Sequence, residues 1–380
     1  MFIFSREMTT KHKQMQKIII NGANGFVASH FIRELLEQNF EVVALVRNGE
    51  KLSAQQRMQQ VLEEVSEKKQ VDLSSLKVFD YSLTADDYSF DKNQIEDIFN
   101  DTVQFFHFAA CLKFSAKDKK NIFDTNVDGL KNSIRFFEKY ARPGSRFFFI
   151  STAYSCGKFS GLFEEKFYSN QDIPHFRNYY EQSKRVAENV MKEYIERGKI
   201  NGHVIRLSQV VGDSKTGITK TGYGIFDLAK RLYNIASLHS NNTLRIKVDP
   251  NGTQNLISID KVVEVLMNLL IISDLPQIIN LTAKKGVKNE TIAECINRNL
   301  PMKIILDKTL QKKNMNALER MIAVGMSFTG KYAHINLQFD HRSLDKIMRF
   351  DNSEITKRSL CRMMESFIHD LQENNTTTKV

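Results

Sequence analysis

The chain has 380 residues, 42% hydrophobic and 26% charged, and a formal net charge of +10. This is a globular composition, long enough to bury a sizeable core. No run of about 18 uninterrupted apolar residues predicts a transmembrane helix, and no long apolar stretch with a cleavage site predicts a signal peptide. The basic residues fall in small scattered groups without a recognised nucleic-acid motif, which reads as a solvated surface rather than a nucleic-acid interface.

Residues 1–16 read as an N-terminal extension. From "KIIIN" (17–21) onward, apolar runs of strand length alternate with amphipathic stretches. The runs are 17–21, 41–46, 76–80, 103–110, 146–151 and 202–208. The helical stretches between them are 27–38, 53–68, 117–140 and 179–197. Continuous apolar strands separated by helices predict a parallel sheet buried on both faces, the doubly wound Rossmann-type α/β pattern. The boundaries expected are 17–208 for this domain, 209–371 for a smaller, mainly helical lobe with some elements returning to the first domain, and 372–380 for a flexible tail. That lobe is expected to close over the cleft.

The first strand runs into "NGANGFVAS", a tight turn before a helix starting near Phe26. Gly22 can adopt the dihedrals of the turn, Gly25 admits a close backbone approach, and Ala28 keeps the helix near the strand. Amides at the helix N-terminus favour a pyrophosphate, so Gly22, Asn24, Gly25, Phe26 and Val27 are the candidate cradle of a dinucleotide. The spacing is GxxGxxA, looser than the commonest fingerprint. The second strand ends at "LVRNG", where an NAD site usually places an acid. Arg47 stands there instead, and its planar guanidinium suits a 2′-phosphate, which favours NADP(H).

His107 lies in an apolar strand and reads as a core histidine or a support for the cofactor loop. No cluster of His, Cys, Asp or Glu has metal-ligand spacing, so no metal is expected. The fifth strand ends at Thr152, whose hydroxyl can bond an oxygen gaining negative charge. In "YYEQSKRVAE", Tyr180 and Lys184 share one face of a helix. The ammonium is expected to lower the phenol pKa and make Tyr180 a proton donor. Four widely separated cysteines read as reduced thiols of a cytoplasmic protein. Cys156 reads as an ordinary thiol without a paired base, and the Phe- and Met-rich 321–328 as core.

These residues, in this order, resemble an extended short-chain dehydrogenase/reductase over about 17–285. The glycine turn, "HFAA" (107–110), "NVDG" (126–129), Thr152, the Tyr180/Lys184 pair and "IDKV" (259–262) carry the resemblance. It implies that Lys184 also binds the nicotinamide ribose, that Asn126 supports the catalytic group, that Asp80 lies near the adenine, and that Ala109 and Ala110 border the cofactor. "HFAACLKF" and "RLSQVVGDSKTG" (206–217) are further similar to the thioester-reductase and fatty acyl-CoA-reductase branch, with Leu207 in place of its proline and Lys113 in place of a common Asn. That branch implies reduction of an acyl thioester of coenzyme A or of an acyl carrier protein to aldehyde or alcohol. It also implies that Asp213, Ser214 and Thr216 lie near the reacting carbon or the thioester arm. A ketone or hydroxyacyl oxidoreductase, a sugar-nucleotide epimerase or dehydratase, and a non-catalytic NADP-sensing protein remain as alternatives. The sequence leaves monomer and homodimer both open.

Overall fold

The computed structural model describes residues 17–66, 70–240, 242–325, 332, 337–348 and 355–377. The expected extension, 1–16, lies outside them. Seven strands form one parallel sheet. They are β1 (Lys17–Asn21), β2 (Glu41–Val46), β3 (Leu76–Asp80), β4 (Val103–His107), β5 (Arg146–Thr152), β6 (Gly202–Leu207) and β7 (Ile278–Leu281). Their order is β7-β6-β5-β4-β1-β2-β3, and the expected doubly wound sheet is present. Central strands β1, β4 and β5 are buried throughout, as continuous apolar runs require, whereas edge strand β3 is partly exposed. The fourth run stops at His107 rather than at 110, because Ala109 N–H turns away to the Asn21 side chain.

Contacts group the chain into two units. The first holds the chain up to Ser151, Gln182–Ile205 and Ser273–Gln277. In it, β4 and β5 pair Phe105 with Phe147, Phe106 with Phe148 and His107 with Phe149. The first two pairs stack at 5.1 and 4.4 Å. Such cross-strand aromatic pairs fix the register. Around this sheet lie α1 (Phe26–Glu37), α2 (Ala54–Val65) and α3 (Gly129–Tyr140), and from α4 (Tyr179–Glu196) its residues from Gln182 onward. Ser53 and Gln56 form a reciprocal capping box at the start of α2.

The second unit holds Thr152–Glu181, Arg206–Ile272 and the chain from Ile278 onward. Its helices are α5 (Ile225–Ala236), α6 (Ile259–Ile271), α7 (Asn289–Asn297), α8 (Ala317–Gly325) and α9 (Lys357–Thr377). Phe226, Leu232, Ile292, Ile296, Met363 and Met364 meet in its main core. The region is less uniformly helical than the sequence suggests. Thr243–Ile246 pairs with Lys303–Leu306, and Gln209–Val211 with Leu256–Ser258. Helix α9 takes in residues 372–377, which the sequence places in a tail.

Two expectations are corrected here. Cys295 and Cys361 are joined in a disulfide, because α7 and α9 bring together residues 66 apart in sequence; Cys111 and Cys156 are not disulfide-bonded. In the stretch read as core, Ile322 is buried but Met321 and Val324 are 53% and 76% exposed. They project from the outer face of α8, and 326–328 lie outside the described residues. No described helix is long and apolar enough to cross a membrane.

Candidate functional site

In the first unit the glycine turn has the geometry of a phosphate cradle. Gly22 sits at φ +62°, and a Cβ there would lie 2.8 Å from the Ala109 nitrogen, so only glycine fits. Gly25 N–H donates to Gly22 O at 2.9 Å. Gly25 caps α1 without any side-chain bond, and no acid occupies the first turn. The amides near Phe26 and Val27, beside Asn24, are therefore open to an anion, with the helix dipole in its favour. Bare backbone, an uncapped helix end and the missing Cβ fit a dinucleotide.

Asn21 organises the surroundings, and the sequence reading did not single it out. Its Oδ1 accepts Ala109 N–H at 3.0 Å, and its Nδ2 donates to His107 Nδ1 at 2.8 Å. Burial holds His107 well below the usual histidine range, and the Lys184 charge adds to this. Tyr81 Oη accepts Gly22 N–H at 3.3 Å, and burial pushes its phenol up to about 12. Arg47 is exposed just past β2. Asp80 ends β3 and accepts from Asn48 N and Nδ2 at 2.8 and 2.7 Å, so it pins the segment after Arg47.

A single π-type turn, Asp124–Asp128, places Asn126 in the same unit. Asn126 Oδ1 accepts Cys111 N–H at 2.7 Å, and its Nδ2 donates to Ser183 Oγ at 2.9 Å. It thus ties the segment after Ala109 and Ala110 to the residue preceding Lys184. Lys184 is 2% exposed, donates to Ile150 O at 2.9 Å, and lies 4.7 Å from the Phe149 ring centre. Burial pulls its pKa down to about 7, against the opposing charge of Glu188. Glu188 in turn accepts from Ser151 Oγ at 2.6 Å and pairs with buried Arg185 at 2.9 Å. The four-residue step from Lys184 to Glu188 was the available sequence signal.

In the second unit, Thr152 ends β5, its Oγ1 donates to Leu207 O at 3.3 Å, and it lies close enough to Tyr180 to favour that residue's phenolate. Its Oγ1 also accepts Tyr154 N–H at 3.2 Å. The phenol pKa of Tyr180 is raised, not lowered: burial dominates, and the nearby Thr152 hydroxyl only partly offsets it. The next residue, Glu181, is fully buried. It accepts from Tyr332 Oη at 2.5 Å and from Arg177 N at 2.9 Å, while Asn178 Oδ1 accepts Glu181 N–H at 2.9 Å. Asn178-x-x-Glu181 is a helix-start pattern that could have flagged this network. A cavity of about 570 Å³ adjoins it, with Tyr154 and Tyr332 in its wall, their rings edge to face at 4.7 Å.

The 212–219 loop does not offer its side chains as expected. Asp213 Oδ1 accepts Lys215 and Thr216 N–H at 2.8 and 2.7 Å, and Ser214 Oγ donates to Asp260 at 2.7 Å. Thr216 Oγ1 accepts Ile218 N–H. Asp213 and Thr216 close the loop on itself, Ser214 ties it to Asp260, and none of the three lines the cavity. Arg206 is likewise committed, donating to Glu164 O and Lys166 O at 3.0 and 2.9 Å. Among the described residues, His369, Asp370 and Glu373 form the one group with metal-like spacing. It lies on α9 with Asp370 paired to Lys220, which marks a solvated helix face.

A family model described as male sterility protein, an NAD-binding domain, matches residues 20–266. None of the curated proteins matches. Among solved structures, the terminal R domain of the myxalamid PKS-NRPS pathway superposes with a TM-score of 0.75 at 15% identity, covering 94% of this chain and 92% of that one. A thiolation-reductase di-domain from an archaeal non-ribosomal peptide synthetase gives 0.71 at 18%, covering 95% and 76%. UDP-glucuronic acid 4-epimerase from Bacillus cereus, solved with UDP-glucuronic acid and NAD, gives 0.64 at 16%, covering 94% and 100%. At these identities the likeness establishes the fold.

Proposed function

Because this chain belongs to the male sterility protein family, extended short-chain dehydrogenases/reductases that use a nicotinamide cofactor, we propose that it reduces an acyl thioester to an aldehyde, with NADPH as the reductant. The observation that carries this reading is that Thr152, at the end of β5, stands close to Tyr180 and also accepts the amide of Tyr154, a residue in the wall of the 570 Å³ cavity. The two solved reductase domains support the substrate class, since their names describe reductases attached to peptide and polyketide assembly. An acyl carrier protein is accordingly a candidate donor of the substrate, alongside coenzyme A.

The cofactor supplies the hydride. Gly22, Asn24, Gly25, Phe26 and Val27 would hold its pyrophosphate, Ala109 and Ala110 would border it, Asp80 would serve the adenine side, and Arg47 would take the 2′-phosphate. Tyr180 donates a hydrogen bond to the thioester oxygen and protonates it as the carbon is reduced, and Thr152 joins it once its hydroxyl turns from Leu207 O. The hemithioacetal then loses its hydroxyl proton, the carbon–sulfur bond breaks, and aldehyde and thiol leave. Neutral Tyr180, its pKa raised by burial, is the form that donates. Lys184 would hold the ribose one helical turn along α4, and Asn126 steadies that turn through Ser183.

The test pairs loss of nicotinamide absorbance with a thiol reagent, using acyl-CoAs and a pantetheine-loaded carrier protein. One thiol should appear per acyl group reduced, and only when NADPH is present. NADPH oxidation by ketones, with no response to any thioester, would overturn the thioester reading and favour the ketone reductase.

A further inference from the structure

Glu181 is a buried carboxylate to which the reaction assigns no task. It follows Tyr180 directly in α4 and has no exposed surface. Tyr332 Oη donates to it at 2.5 Å, Arg177 N–H donates to it at 2.9 Å, and the Arg177 guanidinium pairs with it at 3.3 Å. A carboxylate and a guanidinium taken out of water together contribute little net stability. What a bonded cluster of this kind supplies is rigidity.

Tyr332 is the centre of the cluster. Its hydroxyl donates to Glu181 and accepts from Asn178 Nδ2 at 2.9 Å. Asn178 precedes α4, and its Oδ1 accepts Glu181 N–H at 2.9 Å. Tyr332 thus grips the helix start on both sides of Tyr180. Burial and the Glu181 charge hold its phenol far above the usual tyrosine range, so the hydroxyl keeps the proton it donates. Its ring meets Tyr154 edge to face at 4.7 Å, and both stand in the wall of the 570 Å³ cavity. Tyr154 N–H in turn bonds Thr152 Oγ1. All of these residues belong to the second unit. One side chain, 151 positions along from Glu181, therefore touches both the turn that carries Tyr180 and the residue that bonds Thr152.

We infer that Tyr332 is a positioning residue for the proton transfer: its hydroxyl, through Asn178 and Glu181, fixes the first turn of α4 and with it the aim of the Tyr180 phenol. The inference rests on Tyr180 being the proton donor. A misplacement of about 1 Å costs as much as a hundredfold in rate, so slack in this turn is read directly in turnover. A phenylalanine at 332 would fill the same wall and keep the edge-to-face contact. What it would lose is the grip on Asn178 and Glu181.

The experiment crosses Tyr332→Phe with Tyr180→Phe in the full chain, using NADPH and the acyl-CoA that turns over fastest. Tyr332→Phe alone should lower kcat roughly five- to fiftyfold, with the thioester KM and the cofactor affinity within about twofold of wild type. In the Tyr180→Phe background the same change should alter the residual rate less than about twofold, because the group it aims is gone. A residue that only supports the fold would take the same factor from both backgrounds. That result, or a wild-type kcat in Tyr332→Phe while Tyr180→Phe is impaired, would overturn the positioning role alone. Asn178→Ser keeps an oxygen to cap the helix and removes the donor to Tyr332. It should lower kcat in the same way at unchanged thermal melting, and wild-type turnover there would also overturn the proposal. Amide hydrogen exchange is followed in parallel without substrate, and Tyr332→Phe should speed it roughly tenfold at residues 177 and 181. If no thioester is reduced, the reaction assignment fails, while exchange at these two amides still decides whether Tyr332 holds the turn. Wild-type turnover in Tyr180→Phe would overturn both readings.

Discussion

Replacing Lys184 by methionine tests whether this lysine is buried as the structure describes. Its ordinary pKa of 10.5 falls to about 7 because the ammonium is removed from water, with the Glu188 charge opposing the fall and His107 facing it from β4. A difference of that size, at about 1.36 kcal/mol per pH unit, corresponds to about 5 kcal/mol. Below about pH 7 both folded and unfolded chains carry the charge, and the folded state bears the whole burial cost. Between about pH 7 and 10.5 the folded lysine has lost its proton while the unfolded one keeps it. The unfolded state then binds more protons, so stability rises with pH. From about pH 7 to pH 9 the rise is about 2 kcal/mol, since the folded lysine is still half protonated at the start. Lys184→Met lacks this titration, so the gap between variant and wild type should move by about 2 kcal/mol in favour of wild type over that interval. Urea denaturation at a series of pH values measures it. Parallel stability curves for the two proteins would refute the reasoning.

Arg47→Ala should weaken NADPH binding ten- to a hundredfold and NADH binding little, as expected for the loss of one charge-assisted bond; equal wild-type affinities for the two cofactors would remove Arg47 from this role. Tyr180→Phe should keep cofactor affinity while lowering turnover by around 10²–10⁴, and wild-type turnover in that variant would dismiss Tyr180 as the proton donor. Gly22→Ala must hold a left-handed φ and push against the Ala109 backbone at 2.8 Å. The first costs about 1–2 kcal/mol and the second about 1–3 kcal/mol, readable as a lowered denaturation midpoint together with lost cofactor affinity.

What the sequence revealed follows from the range of the interactions. Strands β1, β2 and β5 are legible because burial on both faces demands unbroken apolar runs, and the glycine turn because its backbone tolerates no other residue. Tyr180 and Lys184 share a helix, so their spacing alone aligns them. Illegible features depend on partners far apart in the chain. The Thr243–Ile246 strand finds its mate at Lys303–Leu306, Glu181 its hydroxyl at Tyr332, and Cys295 its thiol at Cys361. None of these has a local pattern. The residues of 213–216 misled for the opposite reason. Polar side chains in a turn suit a substrate and suit the turn itself, and here short-range hydrogen bonds take Asp213 and Thr216, while Ser214 bonds Asp260, 46 residues on.

The Asn21 carboxamide has a consequence for where a single proton resides. One end accepts the Ala109 amide, so the other end must be the NH₂, and it donates to His107 Nδ1. That nitrogen is therefore bare, and the neutral ring carries its hydrogen on Nε2. The position of the loop after β4 is thereby encoded in an imidazole tautomer. Nitrogen chemical shifts distinguish the two tautomers, so this one ring is a spectroscopic reporter for the loop. An Asn21→Asp chain, which keeps the shape but has no NH₂ to offer, would deprive Nδ1 of its donor and let the proton change sides.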